Sequence, residues 1–202
     1  MTNANTPFGL RATVNSYGGQ PVVNAYYIPS TYATALFVGD PVVKTGTANS
    51  NTIIADREYQ PGSLPEINKA TAGTTNLITG VILGFAFLPT DLAKTYNPAS
   101  TERVALVCDD PAQLFEIQCE TAGTALAITE IGLNANLVYA ESGSTLTGLS
   151  GAELDTSTPA TTQDFQLKIK RIIDRGDNEL GTHAKVLVSI NQHTEANNTA
   201  GI

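Results

Sequence analysis

Side chains able to do chemistry are scarce in this chain, and their spacing does not gather them. There are two histidines and two cysteines in 202 residues. His183 and His193 flank one expected strand at 184–190, and ten residues of strand separate them by roughly 33 Å. They cannot share a metal, and a zinc site wants more His or Cys ligands than the chain offers. Each reads as a surface or turn residue. Cys108 and Cys119 fall on what looks like one hairpin, strand 104–108, a turn at Asp109-Asp110-Pro111-Ala112-Gln113, then strand 114–119. That register displaces the two thiols by roughly 17 Å along the ladder, beyond the reach of a disulfide. Gly148-Leu149-Ser150-Gly151 resembles a nucleophile elbow but lacks the second glycine in its place, and it sits in a Ser/Gly-rich stretch rather than between strand and helix. Asp109-Asp110 is a carboxylate pair whose place before a proline is ordinary turn chemistry. Asp174-Arg175-Gly176-Asp177-Asn178-Glu179 brings three acids together without the alternating spacing of a calcium loop, and a short acidic turn between strands explains it more simply. No phosphate-binding glycine loop or dinucleotide fingerprint is present. The expectation is a protein that is not an enzyme and uses neither cofactor nor metal.

The elements that carry these residues read as strands. Apolar residues make up 42% of the chain and charged ones only 15%, and Thr, Ala, Asn and Gly fill the difference. That composition suits pleated surfaces joined by shaped turns. Strands are expected at 22–28, 35–38, 42–44, 52–55, 77–88 (bent or bulged at Gly84), 138–140, 165–173 and 184–190, besides the hairpin. Residues 124–131 fit either a strand or a short helix. Residues 57–75 and 142–163 read as loops, the latter pinned by Leu146, Leu149 and Leu154. In 165–173, Phe165, Leu167 and Ile169 face one way and Gln166, Lys168 and Lys170 the other. Eight or more short strands without a heptad or long repeat predict an all-β fold, a β-sandwich or jelly-roll-like body. The domain plan is an extended N-terminal arm at 1–20, one β-rich domain at 21–191 and a flexible tail at 192–202.

Charge excludes two classes of partner. Eleven Lys and Arg stand against 19 Asp and Glu, a net charge of −8. Nucleic acid is bound chiefly by cations on phosphates, so no nucleic acid is expected, and anionic membrane surfaces are disfavoured by the same sign. The longest apolar run, residues 81–88, falls far short of the roughly 20 residues of a membrane helix. The N-terminus has neither the basic start nor the apolar core of a secretion signal. In the arm, Pro7-Phe8-Gly9-Leu10-Arg11 is an apolar island that docks on this chain or another, or else belongs to a frayed end.

Several phrases carry a family likeness: Pro7-Phe8-Gly9-Leu10-Arg11, Tyr26-Tyr27-Ile28-Pro29-Ser30, Ala33-Thr34-Ala35-Leu36-Phe37-Val38-Gly39-Asp40-Pro41-Val42-Val43, Gly80-Val81-Ile82-Leu83-Gly84-Phe85, Asn97-Pro98-Ala99-Ser100-Thr101, Asp109-Asp110-Pro111 with Phe115-Glu116-Ile117-Gln118, and Thr147-Gly148-Leu149-Ser150-Gly151. In order and wording the chain resembles, over nearly its whole length, the capsid cement (head decoration) proteins of tailed bacteriophages. The resemblance implies a virion protein made in the bacterial host cytoplasm and seated on the outer capsid surface. It implies a homotrimer and the major capsid protein as partner. Phe8, Leu10 and Arg11 would then be partner-binding, with the arm reaching another subunit. A tail or baseplate module, including a receptor-binding one, shares the β-rich composition and is the alternative; a small hydrolase with an acidic site is the enzyme alternative.

Overall fold

Fourteen strands and a single 3-10 turn make up the regular structure of the computed structural model, which describes residues 3–54, 56–120, 122–157 and 159–196. Five strands close a barrel: β2 (Asn24–Ile28), β6 (Pro65–Lys69), β3 (Pro41–Ala48), β7 (Gly80–Phe85) and β8 (Arg103–Cys108), in that order around the wall. Every neighbour pairs antiparallel except β2 and β6, whose parallel contact at Tyr27 and Glu66 closes the ring. Closure removes the sheet edges that would otherwise need protection. Pro41 and Pro65 both stand at the first position of their strand, where a missing N–H costs the ladder nothing.

The second layer is an antiparallel five-stranded sheet ordered β1 (Arg11–Asn15), β9 (Gln113–Gln118), β14 (Lys185–Ile190), β13 (Leu167–Ile172) and β10 (Asn134–Ala135). Two small ladders, β4 (Ile53–Ile54) with β5 (Arg57–Glu58) and β11 (Leu137–Val138) with β12 (Glu153–Leu154), complete the set. The fold is therefore all-β, as the composition predicts: a sheet packed on a barrel wall. Alternation along the strands divides the interior. Tyr26, Ile28, Val42, Ile67, Ile82 and Val107 fill the barrel. The residues between them, such as Val81 and Cys108, turn outward to meet Phe115, Ile117, Ile169, Val186 and Val188 of the sheet. Burying this seam is the main source of stability, at roughly 1.5–3 kcal/mol per large aliphatic or aromatic side chain.

Several sequence expectations are corrected. The 103–119 hairpin does not exist: β8 pairs with β2 and β7 in the barrel, and β9 with β1 and β14 in the sheet. Both strands are buried at nearly every position, Leu106 being the exposed exception, which a solvent-facing hairpin cannot satisfy. Asp109-Asp110-Pro111 is the corner between the layers. Asp109 accepts from the Tyr26 hydroxyl (2.6 Å) and Asn24 amide (2.9 Å), and Asp110 from the Ala112 N–H (2.8 Å). The cysteines are free and buried. Burial pushes the Cys108 thiol up to about 11 and, with Glu130, Glu153 and Glu120 nearby, that of Cys119 to about 12.

Residues 57–75 are not a loop throughout, since β6 is a barrel stave. Its lone fully buried residue, Ile67, is too little alternation to read beside Pro61, Gly62 and Pro65. In 142–163, Leu154 is buried as a pin but Leu146 is 91% exposed. Ala152, Glu153, Leu154 and Thr156 have no exposure at all, so the small residues there reflect tight packing rather than looseness. A Cβ at Gly151 would sit 2.2 Å from the Glu141 carbonyl. Residues 124–131 resolve into a 3-10 turn at Ile128–Glu130. Of the expected arm at 1–20, residues 1 and 2 lie outside the described residues, and residues 3–20 are no free arm, because β1 is an edge strand of the sheet. Of the expected tail, residues 197–202 lie outside the described residues. Gln192 and Thr194 bond to either side of Ile78, and His193 between them is buried rather than on the surface. The Gly84 bulge stands as expected: β7 slips one residue against β8 between Ile82 and Gly84.

Candidate functional site

Three segments far apart in sequence meet beside the open end of the seam. The N-terminal segment passes so close to the Gly39 turn that Gly9 and Gly39 must both be glycine. Each has a positive φ, +73° and +90°, and a Cβ on either would come within 2.4 Å of the other segment's carbonyl oxygen. The Leu10 N–H donates to the Gly39 carbonyl at 2.9 Å. From the other side, the Val38 N–H donates to the Gly148 carbonyl (2.9 Å) and the Ser150 N–H to the Val38 carbonyl (2.8 Å). At the centre lies Asp40, fully buried. Its carboxylate accepts from the Phe37 N–H (2.8 Å), the Ser150 hydroxyl (2.6 Å) and the Lys69 ammonium (2.9 Å). The ammonium also lies 4.3 Å from the Tyr139 ring centroid.

This geometry decides what Ser150 can do. Its hydroxyl donates to Asp40 and accepts from the Ala152 N–H at 3.0 Å. The residue is 1% exposed. A nucleophile needs an adjacent base that takes its proton; here the proton is held by a carboxylate already committed to an ammonium. The Gly148–Gly151 phrase is a strut.

On the outer side of this junction the Arg11 guanidinium stacks over the Phe8 ring, 4.3 Å from its centroid. Three clefts open around that pair. A mixed one of about 540 Å³ is lined by Pro7, Phe8, Arg11, Glu141, Thr147 and Leu149. A charged one of about 250 Å³ holds Arg11, Glu116, Arg175, Asp177 and Lys185. An apolar one of about 210 Å³ is walled by Leu10, Ala12, Pro21, Leu83 and Leu149. Val14, Val22 and Val23 follow nearby in the chain with half or so of their surface in solvent.

In the charged cleft, Glu116 accepts from Arg175 at 3.0 Å and faces Arg11 at 3.7 Å. Arg175 also bonds Asp177 (2.8 Å), closing the Arg175-Gly176-Asp177 turn on itself and holding the Asp177 carboxyl below its ordinary range. The Lys185 ammonium donates to the Ala4 carbonyl at 2.9 Å and is pushed below its usual value by burial. Asn3 completes this tie, donating to the Glu179 and Thr182 carbonyls.

Phe8 and Leu10 are thus spent within their own chain, 8% and 1% exposed, and are corrected as anchors for another subunit. Burying two apolar side chains beside their own seam costs no association entropy, which a docking arm would bear. Arg11 alone of the three is open to a partner, with 57% of its side chain in solvent. Sequence reasoning missed Asp40, whose place between Gly39 and Pro41 carries the signature of a turn. It also missed Gln166, read as solvent-facing beside Lys168. Gln166 is fully buried, accepts from the Gly73 and Leu137 N–H groups and donates to the Thr71 and Asn76 carbonyls. Among the described residues no three His, Cys, Asp or Glu side chains are placed to hold a metal ion. No helix of the described residues is long and apolar enough to cross a membrane. Comparison of the chain with family models, with curated proteins and with solved structures found no match in any of the three.

Proposed function

We propose that this chain is a structural, non-catalytic protein of a tailed-phage virion, a cement or decoration protein that sits on the major capsid protein as a homotrimer and stabilises the head. One observation carries the reading: three of the phrases that bear the family resemblance interlock at one buried junction. Pro7-Phe8-Gly9-Leu10-Arg11, Gly39-Asp40-Pro41 and Thr147-Gly148-Leu149-Ser150-Gly151 meet around Asp40. What the resemblance has in common is then a mechanical joint, with Arg11 displayed on its outer side. A joint fixed by an ion pair and two facing glycines suits a part that must hold its shape under load.

The deciding measurement is the copy number of this chain relative to the major capsid protein in gradient-purified virions. A ratio near one to one is expected. A handful of copies would move the protein to the tail or baseplate, and absence from the particle would overturn the structural reading.

A further inference from the structure

All eleven Lys and Arg of the chain lie within the described residues, and eight have a partner inside it. Arg11, Lys69, Arg175 and Lys185 are accounted for above. Lys44 and Lys94 pair with Glu195 and Asp91, Arg103 donates to the Ala86 and Tyr96 carbonyls, and Arg57 lies over the Phe87 ring. The other three are Lys168, Lys170 and Arg171. No side-chain hydrogen bond, ion pair or ring contact engages any of them among the described residues, and all are exposed.

These three share one strand and one face. Along β13, Leu167 and Ile169 point into the seam and Lys168 points out. The strand then bulges: Ile169 faces Val188 and Arg171 faces Leu187, leaving Lys170 as the extra residue. A bulge sets two residues against one and breaks the strict alternation. Lys170 and Arg171 are therefore both outside, where a regular strand would have buried one of them. The register carries the same face across the sheet in a row, Arg171, Leu187, Glu116, Arg11. Its ends are about 14 Å apart at ordinary strand spacing.

We infer that this outer sheet face, with Lys168, Lys170 and Arg171 as its contacts, docks on an acidic protein surface. Charge complementarity is the argument: in a chain of net charge −8, the unpaired cations are concentrated at one place. A surface of discrete carboxylates fits better than a nucleic acid. Glu116 within the row is buried and already paired with Arg175 and Arg11, but Asp174 and Asp177, close after β13, are exposed. A continuous phosphate backbone crossing the face would meet these acids. The bland competitor is that the cations merely guard a sheet edge, since β10 pairs only as far as Lys168 and exposed edges are commonly blunted with lysine. The inference deepens the structural role proposed above and rests on it.

The test uses the purified chain and a fluorescein-labelled oligoglutamate peptide, followed by anisotropy at about 50 mM and about 300 mM salt. Wild type should bind, and weaken about tenfold or more across that range. The K168E/K170E/R171E variant should lose binding about tenfold or more at the lower salt. Its melting temperature should stay within a few degrees of wild type, because all three side chains are exposed. Absence of peptide binding by wild type, or equal binding by the variant, overturns the inference in favour of edge protection. Tighter binding of a single-stranded DNA oligonucleotide or of phosphatidylglycerol vesicles than of the peptide overturns the choice of partner. Peptide binding by a chain absent from virions would sink the capsid reading and leave the acidic partner standing.

Discussion

Among the buried carboxylates of the described residues, Asp40 and the pair Glu120 and Glu153 are held in opposite ways. Asp40 receives an ammonium, a hydroxyl and a backbone N–H. Glu120 and Glu153, with the half-buried Asp155 beside them where β9 ends against β12, have no cation among their partners in the described residues. Glu120 is held by a hydrogen bond with Asp155, and burial followed by that bond raises its pKa to about 7. Glu153 is fully buried and receives the Gln118 amide at 2.7 Å, while its other oxygen has no partner among the described residues. Burial raises it too. A carboxylate given donors of full charge can lock segments together as an ion. Burial without a cation pushes Glu120 and Glu153 toward the protonated form instead.

If Asp40 is the lock, removing it should have the largest effect of any single polar change. Asp40→Ala leaves the Lys69 ammonium facing a void and frees the Phe37 N–H and the Ser150 hydroxyl. Loss of one partner of a buried pair costs about 3–5 kcal/mol. Lys69 keeps a fifth of its side chain in solvent, which favours the lower end. Urea unfolding monitored by far-UV circular dichroism should show the midpoint fall accordingly. A loss under about 1 kcal/mol would mean that the junction is held by backbone contacts alone.

Gly9→Ala asks how much the close approach matters apart from the charge. The substitution meets a positive φ and two atoms within 2.6 Å, the Gly39 carbonyl oxygen and the Ser150 Cβ. Neither can move without disturbing Asp40, so a cost of about 2–3 kcal/mol is expected in the same assay. If the protein tolerates alanine there, the N-terminal segment is not locked against the Gly39 turn.

The contrast between the two groups was only partly legible in the sequence. Strand positions followed alternation well where one face meets solvent, as at Leu167, Lys168 and Ile169. Alternation failed where both faces are covered or where few apolar residues speak for a strand, which is how β8 and β9 passed for a hairpin and β6 for a loop. The buried polar residues were the least readable. Asp40 between Gly39 and Pro41 carries the signature of a turn, and it does form one. Its second role depends on Lys69 and Ser150, 29 and 110 residues away. Gln166 likewise takes its partners from segments that no local pattern connects. The likeness of the Phe8, Asp40 and Ser150 phrases was visible, whereas their meeting at one point is a property of the fold.

The acidic group should be visible in the pH dependence of stability. With Glu120 raised from 4.5 to about 7 in the folded chain, the folded state binds more protons than the unfolded one between those values. Its contribution is complete below about 4.5 and is lost as pH rises through about 7. Solvent reaches the half-buried Asp155 side of the pair, so about 1 kcal/mol is expected rather than the full shift. Wild type should therefore lose stability between about pH 5 and pH 8, and Glu120→Gln should flatten that decline. Parallel curves for the two proteins would show that the Glu120–Asp155 bond does not hold a proton.

The smallest effect belongs to Glu153→Gln, and it sharpens the comparison most. If burial keeps Glu153 protonated, a neutral amide of the same shape replaces a neutral acid. The Gln118 amide keeps a carbonyl to donate to, and the new NH2 stands where an oxygen had no partner. Stability should change by no more than about 0.5 kcal/mol near neutral pH. A loss above about 2 kcal/mol would mean that Glu153 is ionised and matched by a donor, in the way that Lys69 meets Asp40. The two groups would then be two locks, and the low-charge interior on this side of the sheet would need a cation that the described residues do not supply.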